Sequence, residues 1–200
     1  RNLYVEGAWF NTAMLPDSTV PLGQSGEQVV GTFTVPPPPA PAALIGTDSP
    51  DRLQETLAHG DVFWGGPAAD TFAFGIERMF NPHTPSAFAT SQLGTGIGPG
   101  ARDVVIDFEQ GEDVIDLSAA LRFARRVIVV DEEFTFIGTD PFSGTPEQPG
   151  APELRYEWRE DFTILQMDAG GGSLFIGDGT VDAEIALVGN LALESGDFVL

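Results

Sequence analysis

The chain has 200 residues, of which 42% are hydrophobic, and a formal charge of −21. The apolar share is enough for the core of one domain or two small ones, whereas so acidic a surface repels nucleic acid and anionic membranes and attracts divalent cations. There is no cysteine, which excludes a disulfide scaffold, a thiolate zinc site and a cysteine nucleophile, and no apolar run is long enough to span a bilayer as a helix.

Residues 1–35 hold two candidate strands, Leu3–Phe10 and Gln28–Val35, rich in β-branched and aromatic residues. Two strands alone are marginally stable, so this segment is expected to pack on the rest of the chain, on an upstream domain or on another subunit. No signal peptide is visible and the first residue is Arg1, so the chain is expected to be a fragment or a processed product. Residues 36–43 follow as a stiff polyproline linker in VPPPPAPAA.

From Gly46 to Phe74 the sequence reads GTDSPDRLQETLAHGDVFWGGPAADTFAF. Asp51, Asp61 and Asp70 recur at intervals of 10 and 9, each followed two residues later by a large apolar side chain, Leu53, Phe63 or Phe72. The unit GGPAADTFA fits G-G-x-G-x-D-x-U-x at four of five fixed positions, with Ala68 in place of a glycine. This pattern resembles the RTX, or hemolysin-type, calcium-binding repeat. The resemblance implies a β-roll in which two nonapeptides complete a coil, the eighth residue fills the core, and calcium lies between stacked turns. Calcium takes about 6–8 oxygen ligands, more than one turn supplies.

The 19-residue spacing of Asp51 and Asp70 places them on one edge, so one ion is expected between GTDSPD and GGPAAD. Its candidate ligands are Gly46, Asp48 and Asp51 in the first turn and Gly65, Pro67 and Asp70 in the second. Asp61 falls on the opposite edge. Its partner is expected near residue 42 or 79, and neither Ala42 nor Met79 offers a carboxylate. Any ion at Asp61 therefore has to borrow a later carboxylate. The competing interpretation of all three aspartates is ordinary Gly/Asp turns between strands.

Residues 76–101 lose regular patterning and read as a packed excursion or an interaction surface. RDVVIDFEQGEDVIDLS then reads as strand, turn, strand and a helical turn begun by Ser118. It looks like the segment that closes the roll in the C-terminal domain of serralysin-type metalloproteases and related exoproteins. The resemblance makes Asp107 and Asp113 candidate calcium ligands, while Asp103 and Asp116 read as caps of strands and turns. Residues 119–200 read as successive strands, Arg126–Val130, Glu133–Ile137, Glu153–Arg159, Phe162–Met167, Ser173–Ile176 and Ala183–Val188. FSGTPEQPGAPELRY and the terminal GDGTVDAEIALVGNLALESGDFVL are similar to that family's C-terminal motifs. Asp168 is separated from Gly177-Asp178-Gly179, which breaks the compact spacing of a Ca loop; Asp178 and Asp182 are left as a weak pair or as turn residues.

The expected architecture is all-β. A roll and its closing segment, 44–118, continue into a mainly antiparallel, sandwich-like cap at 119–200. The zinc motif H-E-x-x-H is absent, only His59 and His83 are present, and no G-x-S-x-G elbow occurs. The reading is a non-catalytic, secreted calcium-binding module. The resemblance implies calcium ions and a type I (ABC) secretion apparatus as partners, the latter recognising a C-terminal signal around Asp197-Phe198-Val199-Leu200. Two alternatives stand beside it: a structural subunit of an extracellular assembly, joined through the N-terminal strands, and the C-terminal domain of a truncated secreted hydrolase.

Overall fold

The structure is a computed structural model that describes residues 3–5, 8–10, 40–56, 59–79, 90–119, 133–169 and 177–200. It divides into two compact units, Arg1–Pro37 and Pro38–Leu200. In the first, β1 (Leu3–Val5) and β2 (Ala8–Phe10) form an antiparallel pair in which Leu3 faces Phe10. Within the expected single strand Leu3–Phe10 the described residues form two short strands. The expected strands Gln28–Val35, Arg126–Val130 and Ser173–Ile176 lie outside the described residues.

The second unit opens as a parallel coil. Strands β3 (Ala43–Ile45), β5 (Val62–Trp64) and β9 (Asp103–Val105) stack in one sheet. Strands β4 (Arg52–Gln54), β6 (Thr71–Ala73) and β10 (Val114–Asp116) stack in the other. The chain alternates between the two sheets, and each strand is only three residues long because glycine and aspartate turns intervene. The middle residue points inward in β3, β4, β5, β6 and β10, whereas in β9 it is Val105, paired with Phe63, that is fully buried. Phe63 and Phe72 are fully buried, with ring centroids 6.1 Å apart in an edge-on pair, and Phe74 and Phe108 extend the aromatic core. Period-2 alternation of this kind is what a half-buried strand requires.

Between β6 and β9 the chain leaves the coil. Strands β7 (Ile76–Met79) and β8 (Thr90–Leu93) form a separate antiparallel pair, so the excursion at 76–101 contains a hairpin. The chain re-enters at Asp103 and continues the ladder directly, since Val104 faces Val62.

The C-terminal part grows from the same sheet. Beyond β9 lie β14 (Ala183–Val188, parallel to β9), β13 (Phe162–Asp168), β12 (Glu153–Arg159) and β11 (Thr135–Phe136), the order being β11-β12-β13-β14-β9-β5-β3. The long pairs β12–β13 and β13–β14 are antiparallel. β15 (Phe198–Val199) adds parallel to β10 and completes the four-stranded sheet β15-β10-β6-β4. The chain is therefore all-β as expected, with parallel sheets running on into antiparallel strands. Leu154, Leu165, Met167, Ile185 and Leu187 join the roll phenylalanines in one core. Arg102 and Arg159 flank the buried Glu184, which also accepts from the Gln166 amide and the Gly98 amide, pinning the returning loop onto β14.

Candidate functional site

Asp61, Asp70, Asp103 and Asp113 each use one oxygen in the same way: it accepts the backbone N–H of the residue one coil earlier. On one edge the Asp51 N–H donates to Asp70 Oδ1 at 2.8 Å, an offset of 19 residues, and the Asp70 N–H donates to Asp113 Oδ1 at 2.8 Å, an offset of 43. On the other edge the Ala42 N–H donates to Asp61 Oδ1 at 2.7 Å, and the Asp61 N–H to Asp103 Oδ1 at 2.8 Å. The result is two carboxylate ladders, 51–70–113 and 42–61–103. Asp51 and Asp70 thus share an edge.

Asp61 requires a correction. Residue 42 is its neighbour on one side as expected, but on the other side stands Asp103 and not Met79. The hairpin excursion lengthens that coil to an offset of 42 residues, and a count that assumes uniform nonapeptides cannot anticipate an inserted hairpin.

The second oxygen of each aspartate is the informative one. In Asp51 it closes its own turn, accepting the Thr47 N–H at 2.6 Å and Oγ1 at 2.8 Å. Asp113 Oδ2 does the same for the Glu109 N–H at 2.8 Å, again four residues back. In Asp61 it accepts the Thr56 N–H at 2.8 Å and Oγ1 at 2.6 Å. By this rule Asp70 Oδ2 should close on the Gly66 N–H. It does not, because Asp107 takes that donor: Asp107 Oδ1 accepts from Gly65 N–H at 2.9 Å and Oδ2 from Gly66 N–H at 2.8 Å. Asp70 Oδ2 is left buried with no hydrogen-bond partner, on a residue that is 1% exposed. A buried carboxylate oxygen without a donor is costly, and the orphan lies where the stacked turns meet.

Glycine makes that meeting possible. A Cβ on Gly46 would lie 2.2 Å from the Gly65 carbonyl oxygen, and one on Gly65 would lie 2.3 Å from Asp70 Oδ2. Gly66, at φ +94°, would place its Cβ 2.4 Å from the Thr47 carbonyl oxygen. Asp48 and Pro67 are exposed at the tips of their turns. Ala68 sits at φ +148°, a backbone region that costs a non-glycine residue on the order of 1–3 kcal/mol. It occupies the position where the repeat pattern calls for glycine. Ala68→Gly is expected to stabilise the protein by about 1 kcal/mol once the greater chain entropy of glycine is subtracted, measurable as a rise in the thermal midpoint.

Two further carboxylates belong to the opposite edge and were not singled out as ligands by sequence reasoning. Glu55 begins the turn before Asp61, and it is 7% exposed. Its Oε1 accepts the Gly75 N–H. Asp103, fully buried, also accepts the Gly60 N–H at 2.9 Å. Glu55 Oε2 and Asp103 Oδ2 have no partner. Burial pushes Glu55 up to about 8, with the Asp103 and Asp61 charges acting in the same direction. Burial also pushes Asp103 up to about 7, against the Asp61 and Gly60 amides that favour its charged form. The signal for Glu55 was its slot: it stands nine residues after Gly46 and ten before Gly65, where the flanking turns begin with glycine.

Burial likewise raises Asp113. For Asp116 burial is outweighed by hydrogen bonds from Ser118 and by Arg52, 2.7 Å away, which hold the carboxyl below its ordinary range. In the cap, Asp168 repeats the Asp107 arrangement, accepting from Asp178 N–H at 2.9 Å and Gly179 N–H at 2.7 Å. Asp178 Oδ1 is taken by the Thr180 N–H and hydroxyl, and Asp182 Oδ2 accepts the Ala169 N–H. Among the described residues, no three acidic or histidine side chains converge as a ready-made metal cage. Any ion here must therefore draw on backbone carbonyls as well.

No family model and no curated protein matches the chain. Solved structures similar to it include the AlgE6R3 subunit of the Azotobacter vinelandii mannuronan C5-epimerase, at 20% identity over 88% of this chain and 86% of that one, with a TM-score of 0.39. The roll described above rests on this chain's own strand registers.

Proposed function

We propose that this chain is a secreted, non-catalytic calcium-binding module that folds when it meets calcium outside the cell. The observation that carries the reading is Asp70 Oδ2, a buried carboxylate oxygen left without a donor between two glycine-bearing turns stacked one coil apart. The residues fit a calcium ion. Asp70 and Asp51 would supply carboxylate oxygen and the Gly46–Asp51 and Gly65–Asp70 turns would supply carbonyls, the hard oxygen donors that calcium prefers. When bound, the ion would neutralise crowded negative charge. The chain's own part is to hold the turns in register, through the aspartate ladder and the Asp107 clamp.

The same physics supports export before folding. Without the ion, a chain of charge −21 with unsatisfied buried acceptors favours open states that can be threaded through a transporter. With it, the folded state gains about 2.7 kcal/mol per site at a hundredfold excess over Kd. The C-terminal segment proposed as the type I signal lies in the folded sheet as β15, paired with β10, so it is free to be read only in the unfolded chain. The expected result is β structure by circular dichroism in millimolar calcium and its loss in excess EDTA. Asp178→Ala should leave the calcium midpoint within about twofold, since the Asp178 side chain serves only its own turn. An EDTA-treated protein with an unchanged spectrum and thermal midpoint overturns the reading.

A second reading, a subunit of an extracellular assembly, is favoured by one feature. The sheets end at β3 and β4 with one side unpaired by any described strand. Ile45, Trp64 and Ile106 expose their side chains across the adjacent strands. Unpaired edges with apolar neighbours are templates for strand addition. Calcium-dependent oligomers in sedimentation experiments, lost on Ile45→Lys, would support it.

A further inference from the structure

We propose that the outer face of the seven-stranded sheet docks a second copy of this chain, face to face. Eight large apolar side chains stand exposed among the described residues, and five of them, Ile45, Val62, Trp64, Ile106 and Val188, share this one face. The strand registers explain why. Leu44, Phe63, Val105 and Leu187 pack into the core, so the next residue on each strand points out. Ile45 faces Trp64, Ile106 follows the Val105 that pairs with both Phe63 and Leu187, and Val188 pairs with Phe162. The result is one apolar row, Ile45–Trp64–Ile106–Val188–Phe162, across five adjacent strands. The row two residues back is uncharged as well, since Val62 faces Val104 and Val104 faces Ala186. The other sheet has no such face. Its outward positions include Arg52 and Asp116, joined in an ion pair at 2.7 Å. Single exposed apolar residues are ordinary on a protein surface, whereas a contiguous group marks a contact surface.

Charge selects the occupant. On a chain of formal charge −21, a basic partner is drawn to the acidic surfaces and away from the uncharged one. Two copies of the chain repel each other, and least where neither presents charge. A flat apolar sheet face is also its own complement, because two-fold sheet-on-sheet packing buries both copies of the row at once. The ends of the row set the orientation. At one end Arg159, which pairs with Phe162 on β12, is half exposed, and at the other the turn after Ile45 carries the exposed Asp48. Running the row against its copy brings each Arg159 to the Asp48 end of the other chain, so the rims match in charge. Five strands by two rows cover on the order of 300 Å² per chain. A standard interface takes roughly 800 Å² per partner, so this dimer is a weak one that forms at high concentration.

Docking here rests on the assembly reading above, yet it places the contact on the sheet face and not at the β3 edge. The test is sedimentation equilibrium of the full chain in millimolar calcium at rising protein concentration, comparing wild type, Ile106→Lys, Val188→Lys and Val199→Lys. Ile106 follows β9 and Val188 ends β14, both interior strands, while Val199 is exposed on the other sheet. Wild type and Val199→Lys should rise from the 21.3 kDa of one chain toward twice that mass. Ile106→Lys and Val188→Lys should stay at the mass of one chain with the circular dichroism and calcium midpoint of wild type, since both side chains face solvent. Lysine reduces the negative charge of the chain, so added repulsion between copies cannot account for the loss. The second variant covers the case in which the first folds poorly. A wild type that folds on calcium yet stays at the mass of one chain overturns the docking face and leaves the calcium function standing. Oligomers that persist in both face variants move the contact to the β3 edge, so the assembly reading survives and this face does not. Equal loss in Val199→Lys would show that the row is not what matters, and would also overturn it.

Discussion

Gly65→Ala is expected to abolish calcium-dependent folding at millimolar calcium, although it removes no oxygen ligand. The added Cβ would lie 2.3 Å from Asp70 Oδ2 and 3.0 Å from the Phe72 ring. It thus strikes the orphan oxygen and the core together. Relief requires Asp70 to rotate, which breaks its bond to the Asp51 amide, or the turns to separate, which breaks the ladder. Overpacking alone costs about 1–3 kcal/mol and a stranded buried amide adds about 1–3 kcal/mol, a large share of the stability of a domain this size. Gly46→Ala, facing the Gly65 carbonyl oxygen at 2.2 Å, should behave alike. Gly111→Ala is the control. Gly111 sits at φ +83° with nothing within 4 Å of a Cβ, so only the backbone term remains, about 1 kcal/mol. Calcium titrations followed by circular dichroism check the ordering. A Gly65→Ala protein that folds at the wild-type midpoint would show that the turns are not in close contact and would remove the basis of the calcium site proposed at Asp70.

The ordering also explains what the sequence discloses and what it hides. The repeat at Asp51, Asp61 and Asp70, with Leu53, Phe63 and Phe72 two residues on, is a local pattern of fixed period. It determines which residues face inward and which two turns share an edge, and the strand registers agree. The terminal strands were legible for a similar reason, since Glu153–Arg159 and Ala183–Val188 are long runs with strand composition. The partner of Asp61 was not legible. It depends on where the chain re-enters after β7 and β8, and nothing periodic in 76–101 encodes that distance. The role of Asp107 was hidden more deeply. Its effect is to take the Gly66 amide that Asp70 would otherwise bind, a competition between two acceptors for one donor that exists only once the coils are stacked. Glu55 carried a visible sign, an acidic residue in a glycine slot, but its partner Asp103 is remote in sequence. Its pairing follows from the same unencoded re-entry point.

In EDTA, the stability of the protein is expected to fall as pH rises from about 5.5 to 8, opposite to ordinary acid denaturation. The carboxyls of Glu55 and Asp103 ordinarily titrate near 4.5 and 3.8, and in the folded chain burial pushes them up to about 8 and about 7. Below the ordinary values both folded and unfolded chains are protonated there, and the groups contribute nothing. Between the two limits the unfolded chain has released protons that the folded chain still holds. The folded state therefore binds more protons, and stability declines with pH until the folded groups also ionise. For a shift as large as that of Glu55 the full decline is on the order of 4 kcal/mol. Asp116 and Glu184 act in the opposite sense. Their carboxyls are held low by Ser118 and Arg52, and by Gln166, Gly98, Arg159 and Arg102, against the raising effect of burial. The stability they give is present above the ordinary carboxylate range and is lost as pH falls through it. The calcium-free protein should accordingly be most stable near pH 5–6, with a thermal midpoint that drops toward pH 8. Glu55→Gln removes the more strongly raised of the two groups and leaves Asp103, so its midpoint in EDTA should fall less than that of wild type over that interval, and the difference between the two proteins cancels everything else that titrates there. Parallel profiles for wild type and Glu55→Gln would show that the Glu55 carboxyl is solvated and not confined against Asp103.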